Sequence, residues 1–529
     1  MSRPAPVETH GSGNGAARRS PWLVRPVLIA AAIPLLALIV LYVTDAPLGR
    51  PRFVYPYSPL APIYLLRAIP ALLLIVPLVH GARALASTEA AMRRRGLLIG
   101  ATTAVLIGGW SFAAPYRFRG RYLFEMQSPS HDGAFLLEAH ALHHDQIVTA
   151  DRAPVLGADE YVRRFPELLK RTPVQMRGTR VLSNPPGMTM LALAAIKVLD
   201  RVPLAARLVQ RCLPGAPLED AALMEWFTQG LSVASLLHVI WMLSLLPAYG
   251  LARLWLARAP ALVTGLAMVF NPATVNFTPG KDAAQLLLVL ALLYLWFAVV
   301  ARRSLILAVL AGVVWVIGML FSLVFAWIAL VAAISSLWVA RRDRRRVLDV
   351  VLHAALPAAI SAVVVMLLAC AALRWNVAAT LYAVAARYGE LQGDIITRPL
   401  LLNLIGLGLF VLFAGPALWT APVILWRQRA TDEAARLGRV MLVLTTIVLS
   451  YTYMFANNAE TPRLWIPFIP LLVLGVVLQA DIFRAPGREG SVRVLLALLA
   501  IQVAATLAHR SLLDVRETEL RALSGRGYL

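Results

Sequence analysis

The sequence predicts an all-α polytopic membrane protein of about 13 transmembrane helices, with one large outer loop carrying amphipathic or re-entrant helices. Three observations carry this. First, 59% of the 529 residues are hydrophobic, only 15% are charged and the mean hydropathy is +0.71, against about 45–50% and about 25% in soluble chains. Second, apolar runs of about 20 residues, enough to cross roughly 30 Å of hydrocarbon, recur along the chain. Third, arginines gather in clusters between those runs. An ordinary cytosolic enzyme, a disordered chain and a coiled coil are excluded. So is an outer-membrane barrel, because the runs are continuous rather than alternating.

Residues 1–25 are rich in Gly, Ser, Pro and Arg and read as a disordered cytoplasmic tail. The run at 26–44 lacks a small-residue cleavage site and reads as a retained signal anchor. Further spans are expected at 60–82, 97–114, 227–249, 259–276, 283–301 and 304–320. Others follow at 322–340, 350–373, 400–425, 437–456, 464–482 and 492–508. The transmembrane domain thus covers 26–508, and 509–529 form an extracytoplasmic tail. With the N-terminus inside, Arg93 to Arg95, Arg302 and Arg303, the Arg341–Arg346 run, and Arg427, Arg429, Arg436 and Arg439 all fall on the cytoplasmic face. The outer loops hold far fewer basic residues.

One connection is long. Residues 115–226 form an extracytoplasmic loop between the third and fourth spans, and loops of that length are usually functional. Within it, 159–171 suits an amphipathic helix on the membrane surface, through Tyr161, Val162, Phe165 and Leu168. The apolar stretch 186–199 is too short to span and suits a re-entrant or interfacial helix. The outer loop 374–399 holds a further amphipathic stretch. No internal repeat of the kind common in transporters is visible.

The net charge is +22. On a soluble protein it would suggest nucleic acid; here it encodes topology, so nucleic acid is excluded and the bilayer, with its anionic headgroups, is the expected partner. Cys212 and Cys370 are far apart in sequence and Cys370 lies inside an apolar run, so no structural disulfide framework is expected.

Candidate chemistry gathers at the outer boundary, where a charge near a span needs a reason. Asp132, beside Gly133 and ahead of Glu138, could act as a general base or cap the helix that follows. Asn184-Pro185-Pro186-Gly187 marks the start of a short helix. Asn271-Pro272 and Thr278-Pro279-Gly280-Lys281-Asp282 make a tight outer turn, with Asp282 where a helix dipole favours a carboxylate. In Glu460-Thr461-Pro462-Arg463-Leu464-Trp465, Glu460 and Arg463 form either an i,i+3 ion pair beside a belt tryptophan or an orienting carboxylate and a phosphate-binding arginine. His140, His143 and His144 with Asp145 have ligand-like spacing but no specific motif, so solvated loop histidines are expected, with no metal and no cofactor.

The order of these elements resembles the multi-spanning, lipid-phosphosugar-dependent glycosyltransferases of the GT-C class, in their mannosyl-, arabinosyl- and aminoarabinose-transferase-like branches. That class has an acidic motif in the first large outer loop, a His-Pro-Pro-like element later in it and a second acidic residue in the next outer loop. Asp132, Asn184-Pro185-Pro186-Gly187 and Asp282 take those places in order, Asn184 standing where the family often has His. NPATVNFTPGKDAAQLLLVLALL and ETPRLWIPFIPLL look like family stretches as well. The resemblance implies a polyprenyl-phosphate-linked sugar donor and a glycan, lipid or protein acceptor on the outer face of the cytoplasmic membrane. It implies inversion with Asp132 as base, a phosphate bound by Arg463 or Lys281, Glu460 orienting Arg463, and Asp282, Asn184 and Glu138 toward the substrates. A transporter or flippase, which should show charges within spans and broken helices, and a non-catalytic relative are the alternatives. The expected spans are nearly charge-free, Arg67 apart.

Overall fold

The computed structural model describes residues 21–46, 48–50, 53–55, 69, 73–87, 89–113, 132–171, 180–211, 221–392, 408, 410–430, 432–455, 461–484 and 489–512. Glu460, Ser130, His131, Arg67 and, of the expected tails, residues 1–20 and 513–529 lie outside the described residues.

The helices run α1 (Pro21–Val43), α2 (Ile75–Ala86), α3 (Ala90–Ala113), α4 (Gly133–His143), α5 (Gly157–Arg163), α6 (Phe165–Leu168), α7 (Gly187–Arg201), α8 (Pro203–Arg211), α9 (Ala221–Leu243) and α10 (Leu245–Ala252). They continue as α11 (Arg258–Val269), α12 (Pro272–Asn276), α13 (Lys281–Ala284), α14 (Leu286–Arg302), α15 (Leu305–Phe321), α16 (Val324–Ala340), α17 (Arg344–Val350), α18 (Leu356–Leu373) and α19 (Val377–Gln392). The last are α20 (Pro416–Arg427), α21 (Glu433–Phe455), α22 (Thr461–Leu464), α23 (Ile469–Gln479), α24 (Asp481–Arg484) and α25 (Glu489–Leu512). Among the described residues five helical stretches are long and apolar enough to cross a membrane: Val24–Val43, Met224–Ala252, Lys281–Arg302, Arg344–Leu373 and Glu433–Tyr451. Shorter apolar helices accompany them, among them Leu305–Phe321 and Val324–Ala340. This is the helix content of an α-helical membrane protein. One small departure from all-α is a hairpin, Leu48–Arg50 against Phe53–Tyr55, with Arg50 opposite Phe53.

Among the described residues two large hydrophobic cores result, beside a small cluster of Val299, Ala308 and Ala354. The larger belongs to the bundle and is lined by Trp241, Leu262, Leu290, Phe325, Met441 and Leu474 among others. Helices there approach through small residues, as expected where lipid and side chains are equally apolar. A Cβ on Gly438 of α21 would lie 2.6 Å from the Gly475 carbonyl of α23.

The smaller core belongs to a cap built from the long loop. Phe135, Leu136, Tyr161, Phe165, Leu168, Met188, Leu193 and Ile196 pack together, joined by Val233 and Leu237 of α9 and by Trp375, Val377 and Val384 around α19. This corrects the expectations for 159–171 and 186–199. Those segments form α5, α6 and α7, and their apolar faces turn into this protein core rather than onto lipid.

The expected tight outer turn at 271–282 is also different: Asn271 to Asp282 are buried throughout. Pro272 cannot continue α11, and the break frees carbonyls that a low-dielectric interior leaves unsatisfied at several kcal/mol each. Each meets a donor. Asn271 Nδ2 donates to Met268 O at 2.9 Å, and Thr274 Oγ1 and Trp241 Nε1 donate to Val269 O at 2.6 and 3.2 Å. Gln502 Nε2, from α25, reaches Ala267 O at 3.1 Å and Phe270 O at 2.9 Å. Asn271 Oδ1 then caps α12 by accepting from the Thr274 N–H. The break is therefore a built feature, and it delivers Lys281 and Asp282 to the seam between bundle and cap.

Candidate active site

Asp132 precedes α4, yet its carboxylate makes no capping bond to that helix. It turns instead to the seam. Oδ2 accepts the backbone N–H of Lys281, and Oδ1 lies 3.3 Å from Arg180 Nη2. Gly280 permits this approach, since a Cβ there would sit 3.1 Å from Asp132 Oδ2 and 2.6 Å from Phe277 O.

Asp282 does not cap its helix either; Gly280 holds the N-cap position of α13. Its Oδ2 accepts from Arg180 Nη2 at 3.2 Å and lies 3.3 Å from Arg463 Nε, and its Oδ1 accepts from Gln285 Nε2 at 3.3 Å. Arg180 thus bridges the two carboxylates. Lys281 Nζ donates to Asn184 Oδ1 and, at 3.2 Å, to the carbonyl of Phe321 at the C-terminal end of α15, where a helix favours a cation. The same ammonium sits 5.5 Å from the centre of the Phe135 ring. Asn184 is oriented from behind, Nδ2 donating to Arg180 O at 2.8 Å, so its oxygen faces the lysine.

The result is one buried network drawn from four separated segments: Asp132 from the cap, Arg180 and Asn184 ahead of α7, Lys281 and Asp282 at the break, and Arg463 from α22. Asp132, Lys281, Asp282 and Arg463 are each 6% exposed or less. Among the described residues, three cations, Arg180, Lys281 and Arg463, gather around two carboxylates, Asp132 and Asp282. Such a group of charges out of water is a cost unless it is fully paired, which marks the cluster as more than packing. Asp132 Oδ1 is buried and, among the described residues, takes no hydrogen bond. Its nearest charged neighbour is Arg180 Nη2, at 3.3 Å.

Asp132, Asn184, Lys281, Asp282 and Arg463, picked out separately in the sequence, therefore share one network. Glu138 does not join it. It is buried in the cap core and pairs with Arg171, near the fully buried Tyr161, whose phenol burial holds well above its ordinary pKa. Trp465 is not a belt residue at a lipid surface but is buried edge-to-face on Phe410, ring centres 4.8 Å apart. The residue that sequence reasoning missed is Arg180. Its only cue is that, of the two arginines between the amphipathic stretch and the Pro-Pro element, Arg177 and Arg180, it is the one followed directly by the apolar Val181 and Leu182, both buried.

The histidine group is not a solvated loop. His140 and His143 lie in the last turn of α4 and His144 is its C-cap. His143 Nε2 pairs with Asp200 at 3.3 Å, and His140 and His144 face Gln229 and Glu225 of α9.

No protein-family model matches the chain, and no curated protein is significantly similar to it. The functional reading therefore rests on the geometry of the seam and on the order of its motifs.

Proposed function

We propose that this protein is an inverting membrane glycosyltransferase that moves a sugar from a polyprenyl-phosphate donor to a hydroxyl of a glycan, lipid or protein acceptor. It works on the outer face of the cytoplasmic membrane, with about 13 spans, the N-terminus inside and the cap and C-terminus outside. The observation that carries the reading is Asp132. One oxygen is anchored by a backbone N–H while the other, buried and without a hydrogen bond among the described residues, faces a guanidinium in a cationic cluster.

The chemistry follows from these groups. The acceptor oxygen attacks the anomeric carbon as its proton passes to Asp132 Oδ1. The bond from the anomeric carbon to the phosphate oxygen breaks, and its electron pair leaves on the lipid phosphate. Arg180 and Arg463, released from sharing Asp282, would turn their planar N–H donors onto the phosphate oxygens, with Lys281 as a further positive charge. Placed in advance in a water-poor seam, such donors are worth far more than in water. Asp282 and Asn184 hold the cations in place, and their remaining acceptor capacity suits sugar hydroxyls. No nucleotide and no cofactor is called for.

The test uses purified protein in lipid nanodiscs with mannosyl, arabinosyl and aminoarabinosyl polyprenyl phosphates. Asp132→Asn keeps size and hydrogen bonding but not basicity, so transfer falls by about 10²–10⁴-fold with melting temperature unchanged. Transfer within a few-fold of the original would sink the base assignment.

A second reading, a flippase for a lipid-linked substrate, is favoured by one observation: the broken α11–α12 element beside buried charges is the kind of feature expected at a transport site. Movement of a fluorescent polyprenyl phosphate across proteoliposomes, without sugar transfer, would select it.

A further inference from the structure

His140, His143 and His144 take no part in the seam. We propose that His140, His144 and Glu225 form a binding site for a divalent transition metal of the zinc class, oriented by Gln229, where the cap helix α4 meets the span helix α9.

His140 and His144 are one helical turn apart, so they project from one face of α4; their ring centres lie 4.5 Å apart. α9 places Glu225 and Gln229 opposite, again one turn apart. His144 Nε2 is 3.3 Å from Glu225 Oε1. Two ligands sharing a tetrahedral zinc at about 2.0–2.1 Å sit about 3.3 Å from each other, so this edge already has the required length. One ligand atom from each of the three residues lies within 4.8 Å of the others. His144 and Glu225 are exposed and can close the remainder by side-chain rotation.

A chain of hydrogen bonds selects the ligand atom of His140. The Glu225 carboxylate can only accept, and it takes Gln229 Nε2–H at 2.8 Å. The opposite end of that amide, Oε1, therefore faces His140 and accepts from Nδ1–H at 2.8 Å. The lone pair of His140 is thereby placed on Nε2, and a second bond of this kind is how metal-binding histidines are held in tautomer and orientation. Two imidazoles and one carboxylate suit zinc or a neighbouring first-row metal, not Mg²⁺ or Ca²⁺, which prefer all-oxygen shells. A water completes four-coordination. The ion would tie the end of α4 to the start of α9 and so fasten the cap to the bundle.

The experiment titrates Zn²⁺ alone into chelator-stripped, full-length protein against a chromophoric competitor, and follows thermal unfolding in parallel. About one ion should bind per chain and raise the melting temperature. Loss of either first ligand, in His144→Ala or Glu225→Gln, should weaken binding by more than the roughly 10–100-fold expected for Gln229→Leu, which loosens orientation alone. His353→Ala, a distant exposed histidine, should bind as the original does. No stoichiometric zinc in the original protein, affinity unchanged in His144→Ala or Glu225→Gln, or a preference for Mg²⁺ over Zn²⁺ would each overturn the proposal.

Discussion

The bundle core and the cap core solve the same problem with different means. The bundle is held by apolar side chains and by small residues such as Gly438 and Gly475 that let helices touch. The cap is assembled from short helices, α4 to α7, and its core encloses an ion pair, Arg171 with Glu138, beside Tyr161. A bundle helix is written by hydropathy alone. A cap helix needs partners from distant parts of the chain to bury half of its surface, and those partners include charges. The seam between the two cores borrows from both, setting charges from cap and bundle in an otherwise apolar surround.

The strongest way to break the comparison is at the seam. Asp282→Ala takes away the carboxylate that Arg180 and Arg463 share, leaving an excess of buried cations, and should destabilise the protein by about 3–5 kcal/mol. Thermal unfolding in detergent reads this; an unchanged melting temperature would mean that water screens the cluster.

In the cap, Glu138→Ala should cost nearly as much, because Arg171 stays buried without its carboxylate. The double change Glu138→Leu with Arg171→Met should restore stability to within about 1 kcal/mol or exceed the original by up to about 4 kcal/mol, since a packed apolar pair of similar volume replaces a desolvated one. Sugar transfer should survive in the double variant. Its loss there would return Glu138 to the substrate site.

A bundle change has a smaller effect. Gly438→Ala forces a Cβ against the Gly475 carbonyl and should cost about 1–3 kcal/mol through helix displacement, with the cap unaffected. Hydrogen exchange localises the loss: faster exchange in α21 and α23 but not in α4 to α7 is the expected pattern, and faster exchange in both would join the two cores into one cooperative unit.

The smallest stability effect is expected for Arg463→Lys, which keeps the charge and loses the planar fork. Stability should change by about 1 kcal/mol or less while the donor concentration needed for half-maximal transfer rises about tenfold, because lysine makes a point contact where arginine makes two. Unaltered donor dependence would restrict Arg463 to holding Asp282.

Much of the helical architecture is legible in the sequence. Among the described residues the helices sit largely where the apolar runs are, and the Pro185-Pro186 start falls at its residues, because prolines and hydropathy act locally, whereas the expected span 259–276 breaks at Pro272. The direction in which an apolar face turns is not. α5 and α7 have the pattern of surface helices on a bilayer, and an apolar stripe carries no mark telling lipid from a neighbouring protein core. Trp465 shows the same limit, since an aromatic at a helix start suits a belt and a packed interior equally well.

The site divides along the same line. Residue type and order alone singled out Asp132, Asn184, Lys281, Asp282 and Arg463, because carboxylates and cations beside apolar runs are costly enough to need a reason. The sequence by itself thus determined an α-helical membrane chain and a short set of charged residues worth attention. Only the tertiary structure decided that neither aspartate caps its helix, that Arg180 bridges them, and that Glu138 serves the cap core instead. The physical reason is range. Hydropathy and helix breaking act over one or two turns, whereas a buried ion pair depends on which distant segment arrives opposite, and no local pattern records that.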